Sequence, residues 1–544
     1  MRRTGITALM TAALLIPQLT AAAPAAEVTG AADAPVLPSF TEETATAGVD
    51  STYAGDWQYI VGGGVATFDC NDDGFPDMLL AGGAKPATFF VNKSAPGGSL
   101  KFAAQTSGLE LEQVGGAYPL DFDGDGVMDI MLLRVGESVV MRGLGACKFE
   151  RANERWGFDG GNLWWTAFSA TWERGAKWPT VALGSYVSLS HSADIDPWGS
   201  CTGSVLDRPN AAGTGFGGPL ALKPSFCPLS MLFTDWNRSG TASLRVSNDR
   251  EYYLAGSEQL FHVDPGKPPV PYSDTEGWKP LKIWGMGIAS ADINGDGYPD
   301  YFLSSMADNK LQTLTTLPVN GVGKPDFKDV AYPLNAIAQH PYTGDDKRPS
   351  TAWHAQFEDV NNDGLVDLFV AKGNVSDMVD FAADDPNNLL LQKTDGKFIE
   401  VGDKAGVASM ATSRGAALTD FNLDGLVDLV VVNRHSPAQI WRNTSAAAGH
   451  WIELKLEQDD SNRDAIGAWI VAKAGGRTIQ REITSGGGQA SGEAGWWHIG
   501  LGAEESIGLQ VIWPDGTTSD AVTVGSNAFY VLHRDRPPAV WTPG

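Results

Sequence analysis

The side chains with the clearest chemistry in this sequence are oxygen donors, and they recur in five groups of four with one spacing. The groups are Asp69, Asn71, Asp73 and Asp77; Asp121, Asp123, Asp125 and Asp129; Asp292, Asn294, Asp296 and Asp300; Asp359, Asn361, Asp363 and Asp367; and Asp420, Asn422, Asp424 and Asp428. Each follows D-x-[DN]-x-D-G-x-x-D, so oxygens at loop positions 1, 3, 5 and 9 can converge on one hard cation. Glycine at position 6 permits the sharp turn that wraps the chain around it. An all-oxygen set with several carboxylates and no His or Cys suits Ca²⁺. The expectation is about five calcium sites of structural role, each cancelling repulsion among its carboxylates. The bland alternative is a set of Asp-Gly turns without metal. It would serve for one copy, but not for five that all keep four oxygen positions. Bound calcium would hold these carboxylates ionised, so they are not read as catalytic acids.

The elements around the loops are strands. An EF-hand needs a bidentate Glu at position 12 and flanking helices. Position 12 here is Leu80, Leu132, Leu303, Val370 or Val431, inside a short apolar run that reads as a buried strand. The loop aspartates start at 69, 121, 292, 359 and 420, and the gap from 121 to 292 exceeds one repeat. Asp235-Trp-Asn237-Arg-Ser239-Gly240 reads as a worn copy, and the segment from Ala170 as a second, ligand-free one. Counting both gives seven repeats. Later strand signals run from Phe to Gly, as in Phe102 to Gly108, Phe149 to Gly157 and Phe398 to Gly406. The last repeat lacks one. Phe40 to Gly48 supplies it, so residues 38–49 are expected to complete the last blade and close a ring without exposed edges. The predicted fold is all-β: a seven-bladed β-propeller over residues 26–447, then a small β-sandwich over 448–535 and a tail over 536–544.

The acidic loops resemble FG-GAP/VCBS repeats of the integrin-α kind. Asp464-Ala-Ile-Gly467, Gly486-Gly-Gly-Gln489, His498-Ile-Gly-Leu-Gly502 and Trp513-Pro-Asp-Gly516 match the ASPIC/UnbV pattern in order. Together they resemble bacterial relatives of the cartilage acidic protein family. That resemblance implies calcium and this architecture, and it implies little about a reaction. The epidermal-growth-factor-like module of the cartilage relatives has no Cys-rich counterpart here.

Residues 1–25 read as a secretory signal peptide, with Met-Arg-Arg, an apolar stretch from Ile6 to Leu19 and an Ala23-Pro-Ala25 cleavage site. The expected location is secreted or periplasmic, without a lipid anchor, because the first cysteine is Cys70. No later apolar run is long enough for a transmembrane helix. The formal charge of −26 disfavours nucleic acid and anionic lipid as partners. Cys201 and Cys227 bracket a Pro/Gly-rich insertion and are a candidate disulfide, while Cys70 and Cys147 either pair or stay buried.

Residues just upstream of each loop should line the central channel. Trp284, Trp353, His354 and Arg414 stand out there as candidate ligand contacts for a sugar or an organic anion. Packing between blades is the competing role for them. The insertion near 156–230, with Trp156, Trp172, Trp178 and Trp198, fits a lid or a structural flap. His498 reads as a hydrogen-bonded residue between strands. No nucleophile elbow, phosphate loop or His-rich metal motif appears. The preferred reading is a calcium-binding module that binds a protein or glycan, as in cell adhesion. The alternatives are a polysaccharide hydrolase or lyase at the channel mouth, and a component of a cell-envelope assembly docked through its C-terminal domain.

Overall fold

A computed structural model of the chain describes residues 35–190, 200–250, 256–446 and 448–543. The expected signal peptide and Trp198 lie outside the described residues.

Each acidic loop joins two antiparallel strands, and its position-9 aspartate is the first residue of the second strand. In the first unit the strands are Val65–Phe68, Asp77–Leu80, Thr88–Asn92 and Phe102–Ala104. Among the described residues seven antiparallel runs of four strands follow one another: three are separate sheets, one gains a fifth strand from Gly492–Glu493, and three merge in a thirteen-stranded sheet. The second to fifth units begin with Val114–Leu120, Leu163–Thr171, Pro228–Thr234 and Gly285–Ala291. The sixth is Ala352–Glu358, Asp367–Lys372, Asn388–Gln392 and Phe398–Glu400. The seventh takes Ser413–Thr419, Asp428–Asn433 and Gln439–Asn443 from the end of the array. Its fourth strand is Phe40–Glu42, which pairs antiparallel with Gln439–Asn443. Backbone bonds stitch the first strands side by side: the Gly63 N–H donates to Gly115 at 2.8 Å, and the Gly415 N–H to Gly63 at 3.0 Å. Glycine is required at such positions because a Cβ on Gly415 would lie 2.7 Å from the Gly63 carbonyl oxygen.

The Phe-to-Gly signal has a local cause. A three-residue outer strand leads into one helical turn that a left-handed glycine ends. Examples are Thr44–Ala47 before Gly48 and Gly402–Ala405 before Gly406, with φ of 82° and 90°. The core lies between neighbouring sheets, with Phe369, Leu391, Leu418 and Val431 forming one such layer.

Among the described residues the insertion carries all four strands of the third unit and is not a lid. Ser204–Pro209 and Phe216–Leu222 extend that sheet. Trp156 and Trp178 are buried around Phe216. A disulfide joins Cys201 to Cys227, and a second joins Cys70 to Cys147.

The C-terminal region forms two four-stranded sheets. One contains Trp497–Gly502, His450–Glu457, Ala528–His533 and Ala539–Trp541. The other contains Arg477–Glu482, Trp469–Ala474, Ser506–Ile512 and Val522–Gly525. Ile452, Leu454, Ile470 and Leu509 fill the space between them. The expected tail is part of this domain, because Ala539–Trp541 pairs with Phe529–Val531 and Trp541 packs on Phe529. No described helix is long and apolar enough to cross a membrane.

Candidate functional site

The acidic loops share one hydrogen-bond scheme. The position-1 carboxylate receives the N–H of the position-6 glycine: Gly74 to Asp69 at 2.7 Å, Gly126 to Asp121 at 2.9 Å, Gly297 to Asp292 at 2.9 Å, Gly364 to Asp359 at 2.6 Å and Gly425 to Asp420 at 2.7 Å. One oxygen of the position-9 carboxylate receives the position-2 N–H, as from Phe122 to Asp129 at 2.8 Å and Phe421 to Asp428 at 3.0 Å. All five position-6 glycines are left-handed, with φ between +80° and +89°. Position 4 is left-handed too and is not always glycine: Asp72, Asn362 and Leu423 have φ of 60°, 59° and 56°.

This turn gathers like charges in a partly dry place. Burial first, and then neighbouring carboxylates, push Asp129 up to about 8 and Asp300 up to about 9. Burial is also the main cause raising Asp77, Asp121 and Asp359 to about 7 and Asp292 to about 6. Asp367, Asp420 and Asp428 are driven well above the usual carboxylate range, again by burial first. In the second loop, oxygens of Asp121, Asp123 and Asp129 lie within 4.8 Å of one another. Arg142 partly offsets that cluster, 3.0 Å from Asp123 and 2.5 Å from Asp125. In the fifth loop, Asn422 donates its amide to Gly98 and Asp424, which leaves its buried Oδ1 without a partner. An orphaned oxygen at position 3 beside three carboxylates fits a hard cation. The nearby group of Cys70, Asp77 and Cys147 does not fit one, because its sulfurs form the disulfide.

The worn loop keeps the fold without the ligands. Asp235 receives the N–H groups of Ser239 and Gly240 at 2.8 Å each, but positions 5 and 9 are Ser239 and Ser243. Burial raises Asp235, against the lowering by the Gly240 and Ser239 donors and, last, by the charge of its local cation Arg238.

The loops have a second task that their spacing does not announce: their glycines form the face on which the C-terminal domain rests. A Cβ on Gly74 would meet Trp541 at 2.2 Å, one on Gly297 would meet Gln480 at 2.7 Å, and one on Gly425 would meet Trp451 at 1.8 Å. Arg477 donates to the carbonyls of Gly364 and Asp363 at 3.0 and 3.1 Å. Trp496 donates to the Gly74 carbonyl at 3.0 Å. His498 bridges the two parts, with Nδ1 2.8 Å from Glu453 and Nε2 2.7 Å from Asn362. It is therefore an interdomain hydrogen-bonding residue.

From this face a segment of the C-terminal domain enters the propeller axis. Ser485 and Gly486 pair with Ala170 and Ser169, and Gly486 also pairs with Leu232. Gly492 and Glu493 run parallel to Ala66 and Thr67. At the tip, Gln489 is fully buried and donates to the Val61 carbonyl. The Gly486-Gly-Gly-Gln489 run is thus a plug. Its glycines allow close approach: a Cβ on Gly488 would lie 2.6 Å from the His354 ring.

The plug corrects the expected channel site. His354 is buried and accepts the Gln489 N–H on Nδ1 at 3.1 Å, and burial lowers its pKa to about 4. Arg414 is fully buried and donates to the carbonyls of Ile60, Ser413, Asn374 and Val375. Its guanidinium lies 4.0 Å from the Trp353 ring centre. Arg414 is consumed by backbone carbonyls, while His354 gives Nδ1 to the plug and keeps a buried Nε2 without a hydrogen-bond partner. Trp353, itself fully buried, donates to the Gly373 carbonyl at 2.6 Å and with half-buried Trp284 borders a cavity of about 210 Å³. The other walls include Tyr186, Asp249, Arg250, Met286 and Phe381. Tyr186 donates to Asp249 and receives Arg250, a polar trio that the sequence reading missed. Its only local trace is the Asp249-Arg250 pair, since Tyr186 comes from another blade.

Comparison with known proteins gives the same two parts. An FG-GAP-like repeat model matches residues 69–132 and 359–431, and the ASPIC and UnbV model matches residues 458–538. Cartilage acidic protein 1 of Mus musculus is 25% identical over 242 residues, covering 43% of this chain and 34% of the mouse protein. The Xenopus tropicalis protein is 26% identical over 241 residues, with 43% and 34% coverage. The alignment thus spans about a third of the curated relatives. Among solved structures, BBS1N in complex with ARL6DN aligns with a TM-score of 0.42 at 9% identity, covering 76% of this chain and 98% of that one. The chain carries FG-GAP-like repeats and an ASPIC/UnbV domain, and it is a distant relative of cartilage acidic protein 1.

Proposed function

We propose that this FG-GAP-repeat protein is a secreted or periplasmic calcium-binding module that captures a glycan or a glycosylated protein at the mouth its own C-terminal domain leaves open. The observation that carries the reading is the asymmetry of the axis. One side holds the acidic loops, the docked domain and the plug. The other has the cavity bounded by Trp284 and Trp353, with Arg250, Asp249 and Tyr186 as its polar wall. Aromatic faces beside a few directed polar groups suit a sugar ring, which is apolar on its faces and hydroxylated at its rim. Calcium's role in this reading is to neutralise each loop, so that the C-terminal domain can dock on an uncharged glycine surface. The two disulfides accord with an oxidising compartment.

Arg414, spent on backbone carbonyls, and His354, whose Nδ1 takes the Gln489 N–H, favour a binding role over a hydrolase or lyase one. The test is a glycan array probed with the calcium-loaded protein, repeated with Trp284→Ala. Binding that falls at least tenfold in the variant, with an unchanged melt, supports the reading. Binding that is indifferent to Trp284, or that persists when only the C-terminal domain face is accessible, refutes it.

A further inference from the structure

One buried pair lies outside every role given so far. Lys372 ends the second strand of the sixth unit, and Asp385 lies in the segment that leads to Asn388–Gln392. Lys372 Nζ is 2.7 Å from Asp385 Oδ1, and both side chains have 0% exposure. The contact is close without being a well-directed hydrogen bond, for Nζ has no hydrogen-bond partner of proper geometry. The carboxyl is held from the other side: Ser350 Oγ donates to Oδ1 at 2.8 Å, and the Thr351 N–H donates to Oδ2 at 2.7 Å.

We propose that Lys372 and Asp385 condense into an intramolecular isopeptide bond, a covalent staple across the sixth blade. An ammonium carries three donors, and a dry site that offers it one misaligned acceptor is a poor home for the ion. Moving one proton from Nζ to the carboxylate removes both charges. Burial pushes Lys372 toward that neutral amine, against the pull of Asp385 and Glu400. A desolvated amine is a nucleophile, and it is held against the group it would attack. The Ser350 hydroxyl and Thr351 N–H stand as donors to the carboxyl oxygens, where they would stabilise charge building on the attacked group.

The step balances without a co-reactant. The –NH₃⁺ and –COO⁻ groups become –NH₂ and –COOH. The Nζ–Cγ bond then forms and a Cγ–O bond breaks. The departing hydroxyl takes a second proton from nitrogen and leaves as one water, and no electron is gained or lost.

The position gives the staple a use. Residues 373–384, between the joined side chains, include Val375, Met378 and Phe381, which wall the open-mouth cavity. They also include the Asn374 and Val375 carbonyls that hold Arg414. A covalent tie at its ends restricts this loop, as a disulfide would.

The experiment is intact-mass spectrometry of the full secreted protein, denatured and reduced, followed by tryptic mapping. The expected result is a mass one water below that of the sequence from its observed N-terminus. A branched peptide should carry Lys372 joined to Asp385, with no cleavage after Lys372. Lys372→Met and Asp385→Ala should each restore the water. The full sequence mass with two linear peptides overturns the proposal. So does a water loss that fragmentation places elsewhere, such as a succinimide at an Asp-Gly loop. Neither reading depends on the variants folding, since the unsubstituted protein decides it.

Discussion

If the acidic loops bind calcium as proposed, their raised carboxyl groups would make binding a proton-releasing reaction, and that can be measured. Asp129 is pushed up to about 8 and Asp300 to about 9, from an ordinary value of 3.8. A carboxyl raised on folding contributes stability that is full below its unfolded pKa and is lost as pH rises toward the folded one. In the metal-free protein that window opens near pH 4 and is still closing at about pH 7 for both groups. The loss for one such proton over those three units is about 4 kcal/mol. Carboxyls within a loop titrate as a set, so one proton per loop is the safer count. Even so, two loops would consume much of the ~5–15 kcal/mol by which a domain is stable. Near neutral pH the loops must therefore stay protonated, open, or hold a cation.

Stripped of metal, the protein should melt at a higher temperature at about pH 5.5 than at about pH 7.5. Loaded with calcium it should show the opposite trend, because protonation expels the ion. Calorimetric titration with calcium in two buffers of different protonation enthalpy, at about pH 7, should show release of about two protons or more, from Asp129 and Asp300 first. Binding with no proton release, together with a melt of the stripped protein that is flat across the same range, would refute the argument.

Three further perturbations have expected outcomes. Gly425→Ala places a Cβ 1.8 Å from the Trp451 ring at φ +82°, so left-handed strain and overpacking should together cost ~2–5 kcal/mol. Its melt should drop, and limited proteolysis should release the C-terminal domain; an unchanged melt would show that the docking face tolerates side chains. Gln489→Ala leaves the buried Val61 carbonyl unpaired at a cost of ~1–3 kcal/mol. Hydrogen exchange should rise in residues 486–492 ahead of the blades, and uniform protection in the variant would deny Gln489 an anchoring role. Arg414→Met strips the donor from four backbone carbonyls at ~3 kcal/mol or more. The denaturant midpoint should fall and glycan affinity should fall with it through Val375, whereas lost binding at full stability would return Arg414 to the ligand site.

What could be read locally was read from spacing. The position-6 glycines, the carboxylates that frame them and the apolar runs that follow are bound together by turns of a few residues. Their hydrogen bonds within the loop, such as Gly126 to Asp121 and Phe122 to Asp129, reach no further than seven positions. The same holds for Phe398–Glu400 and the turn ending at Gly406. The strand Phe40–Glu42 was legible as a missing partner, because the last repeat lacks an outer strand.

The axis was not legible. The Gly-Gly-Gly-Gln run is a turn by composition, and nothing local says that Gln489 bonds to Val61 across 428 positions. His354 and Arg414 were left between a ligand and a packing role for the same reason: their partners are backbone atoms of other blades and of the plug, and side-chain type carries no sign of them. The loop glycines were explained by the turn alone, though Trp451 and Trp541 press against two of them. Thus the sequence by itself determined where acidic turns and strands form, because φ, sterics and short-range hydrogen bonds decide those within a few residues. Only the tertiary structure decided which channel mouth is filled and which cations are already spent. Those outcomes depend on backbone carbonyls brought together from distant parts of the chain, and every sequence carries such groups at every residue.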